Sequence, residues 1–336
     1  MDARFSKWLR KLPRRYKKYR QPAGLWSMTI ARELAFCESY ARECFSGAGR
    51  IVDLGCWFGA TTFSLACGLT KNRRAKNNRR IDAFDLFIWN RWMQLAADPI
   101  GMPVKYREGE SFFSEVQELI APYKEIVRLH QEDLMQHQSD NLPVEFLFID
   151  AFKTWSLAGK IVRDFFPLLI PDVSVVVQQD FIFHQPVAAT SHLLMWRLRD
   201  HFEWLHQIPR SGSVVFLCKK RIDPDMLPSL EPKSFSLEEI DEAYEYSRAC
   251  VVEDDRRTHV EATKLLFLIE RGNYGAALKH AQSLAERGIK LREHVLADAG
   301  DQITQAERLV RANGTSDETK AATAQLAEIR AFLPSL

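Results

Sequence analysis

Residues 50–62, Arg-Ile-Val-Asp-Leu-Gly-Cys-Trp-Phe-Gly-Ala-Thr-Thr, constrain the fold of this chain more than any other stretch. A short apolar run meets an acid, Asp53, and then two glycines spaced four apart, Gly55 and Gly59. β-Rich apolar residues followed at once by glycine and a helical pattern read as a strand, a tight turn and a helix. Gly55 lets the backbone turn and approach a ligand without a Cβ in the way, and Gly59 lets the next helix pack closely on a sheet. A strand that apolar needs cover on both faces, which points to a parallel sheet flanked by helices.

The rest of the chain supplies such a sheet. Strands are predicted at 51–54, 81–84 (delivering Asp85), about 126–129 (ending near Asp133), 144–149 (delivering Asp150) and 173–177 (delivering Gln178, Gln179 and Asp180). Helical spacing is seen at 28–46, 60–69 and 155–169. Segments 202–208 and 214–217 flank Pro-Arg-Ser-Gly-Ser, which predicts an antiparallel closing hairpin. The expected fold is α/β: a Rossmann-like, doubly wound, mostly parallel seven-stranded sheet with an antiparallel last strand, followed by a helical C-terminal region. In such sheets ligands bind outside the carboxyl ends of the strands, so the strand-end acids converge on one crevice.

A nicotinamide fingerprint would read G-x-G-x-x-G with an acid about 20 residues later. Here the acid precedes the first glycine and Trp57 takes the middle position. The pattern Asp-x-Gly-x-x-x-Gly resembles motif I of class I S-adenosylmethionine-dependent methyltransferases, in the branch of catechol and macrocin O-methyltransferase-like enzymes. The spacing is also compatible with an α/β unit that holds no ligand. The resemblance spans about residues 30–220 and implies roles for the strand exits. Asp53 and the backbone around Gly55, Cys56, Trp57 and Gly59 would hold the amino-acid end of S-adenosylmethionine. Asp85, with Leu86, would take the ribose hydroxyls, the alternative for Asp85 being a helix N-cap. Asp133 and Leu134 would face the adenine.

The fourth and fifth exits, Phe-Ile-Asp-Ala-Phe-Lys-Thr-Trp at 148–155 and Val-Val-Val-Gln-Gln-Asp-Phe at 175–181, look like the catalytic stretch of the macrocin type. The resemblance implies Asp150, Gln179 and Asp180 as ligands of a divalent cation such as Mg²⁺, with a metal-free site equally open. Asp150 is the candidate base beside a metal and His184 the candidate without one, while Lys153 would bind an anionic group or a developing alkoxide. For His184, a histidine hydrogen-bonded within the structure is the competing reading. The expected activity is O-methylation of a sugar or other small-molecule hydroxyl. The alternative is a methyltransferase-fold binding or assembly protein without turnover, suggested by Trp57 and the Gln-Gln pair.

Composition narrows the remaining choices. At 336 residues and 46% hydrophobic content, the chain holds one catalytic domain and an appendage. The expected division is a basic N-terminal tail (1–27), a methyltransferase domain (28–222) and a helical region (223–336). Six cysteines without a C-x-x-C pair argue for reduced core residues, and no secretory or membrane-spanning run is present, so a cytoplasmic location is expected. The net charge is only +2, yet basic residues cluster at 4–20 and 71–80. The first cluster interleaves Phe5, Trp8, Leu12 and Tyr16, a pattern of a docked or disordered tail or of peripheral contact with an anionic membrane. Absence of a Pro-Pro-aromatic motif after strand four disfavours nucleic acid as substrate. Residues 265–285 predict a helical hairpin, and the C-terminal helices offer a surface for self-association or a protein partner.

Overall fold

A computed structural model of the chain describes residues 3–75, 78–227, 230–312 and 316–336. Lys76 and Asn77 of the second basic cluster, Pro228 and Ser229 of the Pro-rich stretch, and Gly314 and Thr315 of the C-terminal break lie outside the described residues.

Strands β1 (Arg50–Leu54), β2 (Ile81–Asp85), β3 (Val127–Gln131), β4 (Val144–Ile149), β5 (Val175–Gln178), β6 (Phe202–Gln207) and β7 (Val214–Cys218) form one sheet in the order β3-β2-β1-β4-β5-β7-β6. The first five strands pair in parallel, and β7 lies antiparallel between β5 and β6. This is the Rossmann-like, mostly parallel seven-stranded sheet with an antiparallel last strand expected from the sequence. Every residue of β1, β4, β5 and β7 is buried, whereas the edge strands β3 and β6 mix buried and more exposed positions. Central strands covered on both faces therefore read as continuous apolar runs, and the edges do not.

The helices are α1 (Ala3–Leu9), α2 (Leu12–Lys18), α3 (Ala31–Glu43), α4 (Ala60–Thr70), α5 (Arg91–Ala97), α6 (Phe113–Ile120), α7 (Trp155–Phe165), α8 (Ala189–Arg197), α9 (Leu237–Cys250), α10 (Asp254–Glu270), α11 (Tyr274–Glu286), α12 (Glu293–Ala312) and α13 (Asp317–Phe332). Among the described residues no helix is long and apolar enough to cross a membrane. The chain divides into two units: Met1–Ala151, Leu157–Gln179 and Arg199–Leu227 form the sheet unit, and Phe152–Ser156, Asp180–Leu198 and Pro228–Leu336 form the helical unit.

In the sheet unit, the basic N-terminal segment is part of the core. Phe5, Trp8 and Leu12 are buried, Trp8 Nε1 donates to Ser39 at 2.9 Å, and its ring lies 5.0 Å from that of Phe36. Arg15 and Lys11 pair with Glu43 at 2.6 and 3.6 Å. The apolar side that a membrane-facing helix would present is therefore used against α3. Pro13 occupies the first turn of α2, where no backbone N–H is needed.

At the amino ends of the strands, buried Arg50 reaches Asp82 at 3.1 Å and Asp140 at 2.7 Å, while Arg80 and His130 also bind Asp82, at 2.6 and 2.9 Å. In the helical unit, Ser236 and Glu239 form a capping box on α9. The predicted hairpin is present as α10 and α11, turning at Gly272 and Asn273. All six cysteines are free, five of them buried.

Candidate functional site at the carboxyl edge of the sheet

The strand order reverses at β1, which pairs with β2 on one side and β4 on the other. Register places Leu54 beside both Phe84 and Ile149, so the next residues of β2 and β4 are Asp85 and Asp150. Asp150 N–H donates to Leu54 O at 2.9 Å, and Gly55 N–H donates to Phe84 O at the same distance. Three acids spread over about a hundred residues of sequence therefore meet at one edge, as the sequence predicts for an open α/β crevice.

Asp53 is fully buried. Its Oδ2 accepts from the Thr62 hydroxyl at 2.6 Å, and its Oδ1 has no hydrogen-bond partner among the described residues. Burial pushes its carboxyl up to about 7; the Thr62 hydrogen bond opposes this, and the charges of Asp150 and Asp85 add to it. Thr62 stands on the first full turn of α4. It was not singled out from the sequence, although a hydroxyl nine residues beyond a strand acid and one turn into the next helix is placed to meet it.

Gly55 has φ +82°, and a Cβ there would lie 2.6 Å from the carbonyl oxygen of Asp150. Close approach of β1 and β4 exits thus demands glycine at this position. Gly59 is also left-handed and precedes α4 directly. Between them Trp57 adopts φ +46°, a conformation that costs a bulky side chain energy. Its N–H donates to Asp85 Oδ2 at 2.9 Å, and Phe87 N–H donates to Asp85 Oδ1 at 2.8 Å. Asp85 therefore fastens the β1 and β2 exit loops together. A carboxylate offers about four lone-pair directions, so each oxygen can still accept from a hydroxyl.

The donors expected to cradle a ligand carboxylate have other partners here. Gly55 and Cys56 N–H groups both donate to Phe84 O, and that of Trp57 is held by Asp85. The Trp57 and Phe58 side chains are buried, with Phe58 stacked on Phe112 at 4.4 Å. Trp57 Nε1 and Gln179 Oε1, like Asp53 Oδ1, are buried without partners among the described residues. Each of these two acceptors and one donor lacks the partner that a buried polar atom ordinarily has. Glu33 adds a further buried carboxylate, accepting from Ile30 N–H at 2.9 Å and from the Ser213 hydroxyl. Sequence reading missed it, because in the sequence it is only the acid of a helix first turn.

Asp133 lies exposed after β3, and its Oδ1 caps the next turn through Met135 N–H at 2.9 Å, with Leu134 buried beside it. Leu86 is half exposed. Within the helical unit, Lys153 binds Asp180 at 2.7 Å. His184 is buried, with Nε2 2.6 Å from Asp298 Oδ2, and its ring neighbours those of His294 and His259 at 5.1 and 6.2 Å. Among the described residues no group of three or more His, Cys, Asp or Glu side chains is arranged to hold a metal ion. The Mg²⁺ expectation at Asp150, Gln179 and Asp180 finds no support in this arrangement, since the Asp180 carboxylate is engaged by Lys153.

No protein-family model matches the chain, and no curated protein matches it. Among solved structures, a calicheamicin methyltransferase is similar over 65% of this chain and 93% of its own, at 14% identity and a TM-score of 0.43. Another is a phosphoethanolamine N-methyltransferase of Haemonchus contortus, in complex with phosphoethanolamine and S-adenosylhomocysteine; it is similar over 68% of this chain and 53% of its own, at 13% identity and a TM-score of 0.34. The fold assignment itself rests on strand order: the chain has the Rossmann-like sheet with an antiparallel β7 between β5 and β6.

Proposed function

We propose that the sheet unit binds S-adenosylmethionine and that the chain is an O-methyltransferase acting on a hydroxyl of a sugar or similar small molecule. The observation that carries this reading is the meeting of Asp53, Asp85 and Asp150 at the switch point, with Asp53 Oδ1 buried and unpartnered among the described residues. A buried carboxylate oxygen of that kind calls for a cation, and the α-ammonium group of the cofactor is one. Asp85 would accept from the ribose hydroxyls, and Asp133 with Leu134 would border the adenine. When bound, the cofactor supplies a methyl group on a positively charged sulfur. The protein's part is to orient the attacking oxygen and take its proton.

Asp150 is the preferred base, since it shares the edge with Asp53, whereas His184 has Nε2 engaged by Asp298. Lys153 and Asp180, paired and close in the chain to the exits of β4 and β5, would contact the acceptor. The second reading, a binding protein without turnover, is favoured by the internal use of the Gly55, Cys56 and Trp57 N–H groups.

Calorimetric titration with S-adenosylmethionine and S-adenosylhomocysteine tests the first reading, and absence of binding by either would remove it. Asp85→Ala should abolish binding, and unchanged affinity would show the ribose assignment to be wrong. Binding without methyl transfer to any hydroxylated acceptor would favour the second reading. Turnover is expected to survive chelation.

A further inference from the structure

The helical unit contains a cavity of about 460 Å³ lined by Glu231, Pro232, Lys233, Phe267, Glu270 and Arg271. That volume suits a small molecule. The first three residues come from the short turn ahead of α9, and the others from the end of α10. Arg271 Nη1 is buried and has no hydrogen-bond partner among the described residues. Burial lowers the pKa of this guanidinium, and only Glu239 opposes the effect. The Glu239 carboxylate is itself held by Ser236 N–H at 2.8 Å and Arg197 at 3.3 Å. A buried N–H of a charged group is costly to leave unmade, and a carboxylate is the partner that fits it best.

The lining also fixes the rest of the ligand. Two carboxylates, Glu231 and Glu270, stand with two cations, Lys233 and Arg271, so the cavity is formally neutral. A bare anion would be drawn by the cations and repelled by the carboxylates, whereas a molecule carrying both charges can meet both. The apolar part of the lining is Pro232 and Phe267, the latter packed on Trp155 with ring centroids 5.6 Å apart.

We propose that this cavity binds a zwitterionic small molecule of the amino-acid class. Its carboxylate lies on Arg271 and Lys233, its ammonium group on Glu270 and Glu231, and its apolar side chain on Phe267 and Pro232. The proposal is independent of methyl transfer at the sheet edge.

Calorimetry or ligand-observed NMR on the full chain decides it, with L-phenylalanine as zwitterion, N-acetyl-L-phenylalanine as anion and L-phenylalaninamide as cation. The zwitterion is expected to bind most tightly. Arg271→Gln should weaken it by about tenfold or more, as loss of a charge-assisted hydrogen bond does. Glu270→Gln, at an exposed position that does not threaten folding, should weaken the zwitterion while leaving the N-acetyl compound unaffected or improved. No binding by any of the three at millimolar concentration, equal binding of zwitterion and N-acetyl compound, or indifference to both substitutions would overturn it.

Discussion

The hydroxyl of Thr62 donates to Asp53 Oδ2 at 2.6 Å, and it is the one hydrogen bond seen at that buried carboxyl group among the described residues. Thr62→Val keeps the shape and removes the donor, so it should cost about 1–3 kcal/mol. The donor favours the charged form of Asp53, so the loss should be larger above pH 7 than below it. Urea melts at pH 5.5 and 8 check this, and equal losses at both would count against the assigned partner.

Asp53 also predicts how ligand affinity depends on pH. Its carboxyl is pushed up to about 7, chiefly by burial, so below that pH it is mostly protonated before a ligand arrives. A ligand that brings an ammonium group must expel that proton. Affinity for S-adenosylhomocysteine should therefore rise about tenfold per pH unit up to 7 and flatten above it. Asp53→Asn should remove the slope. A flat profile from pH 5.5 to 7 in the parent protein would contradict the assignment.

The same group sets a stability trend. A carboxyl raised in the folded state contributes stability that is complete below the unfolded value of 3.8 and is lost as pH rises through about 7. In the free protein, Asp53→Asn should thus be less destabilising, or even stabilising, at pH 8 than at pH 5, as measured by thermal melts.

Gly55→Ala should cost on the order of 3 kcal/mol, because the added Cβ meets the Asp150 carbonyl and the left-handed backbone is strained for alanine. Binding at the sheet edge should fall with it. An unchanged denaturation midpoint would mean that the β1 and β4 exits are not this close.

At the opposite end of the strands, burial alone would raise the Asp82 carboxyl, but His130, Arg80 and Arg50 together lower it to about 2. Its stabilising contribution is therefore present above 3.8 and lost as pH falls towards 2. Asp82→Asn leaves Arg50 short of a partner and should cost about 3–5 kcal/mol at neutral pH. Near pH 2 the difference from the parent protein should shrink, as acid titrations followed by circular dichroism would show.

Trp8→Ala should cost about 3–5 kcal/mol through lost packing on Phe36 and Tyr40 and the lost hydrogen bond to Ser39. A loose tail would tolerate the change.

Legibility of the sequence followed burial. The fourth strand stands where the apolar run 144–149 puts it, because strands covered on both faces leave an unbroken signature. The third runs on to Gln131, two residues beyond expectation, since an edge strand mixes exposed and buried positions. The helix beginning at Trp155 stops at Phe165 rather than 169, with Pro167 forcing a tighter turn. The acids at the site could be placed from strand ends alone, as position along a parallel strand dictates which edge a residue reaches. Their partners could not. Thr62, Glu33 and Asp298 are defined by contacts between segments, and nothing in their local spacing announces those contacts. The N-terminal segment was obscured for another reason: the apolar residues at 5, 8 and 12 carry a helical period, but the charges between them and Pro13 suggest solvent.

Between β5 and β6 the chain leaves the sheet unit to contribute α8 to the helical one, where α8 packs on α9 and buries Leu193, Leu194 and Met195. A fragment ended at residue 222 would keep α8 and discard α9, leaving a greasy stripe with nothing to cover it. Truncations designed to isolate the sheet unit should therefore come out insoluble, and the practical unit for expression keeps α8 and α9 together.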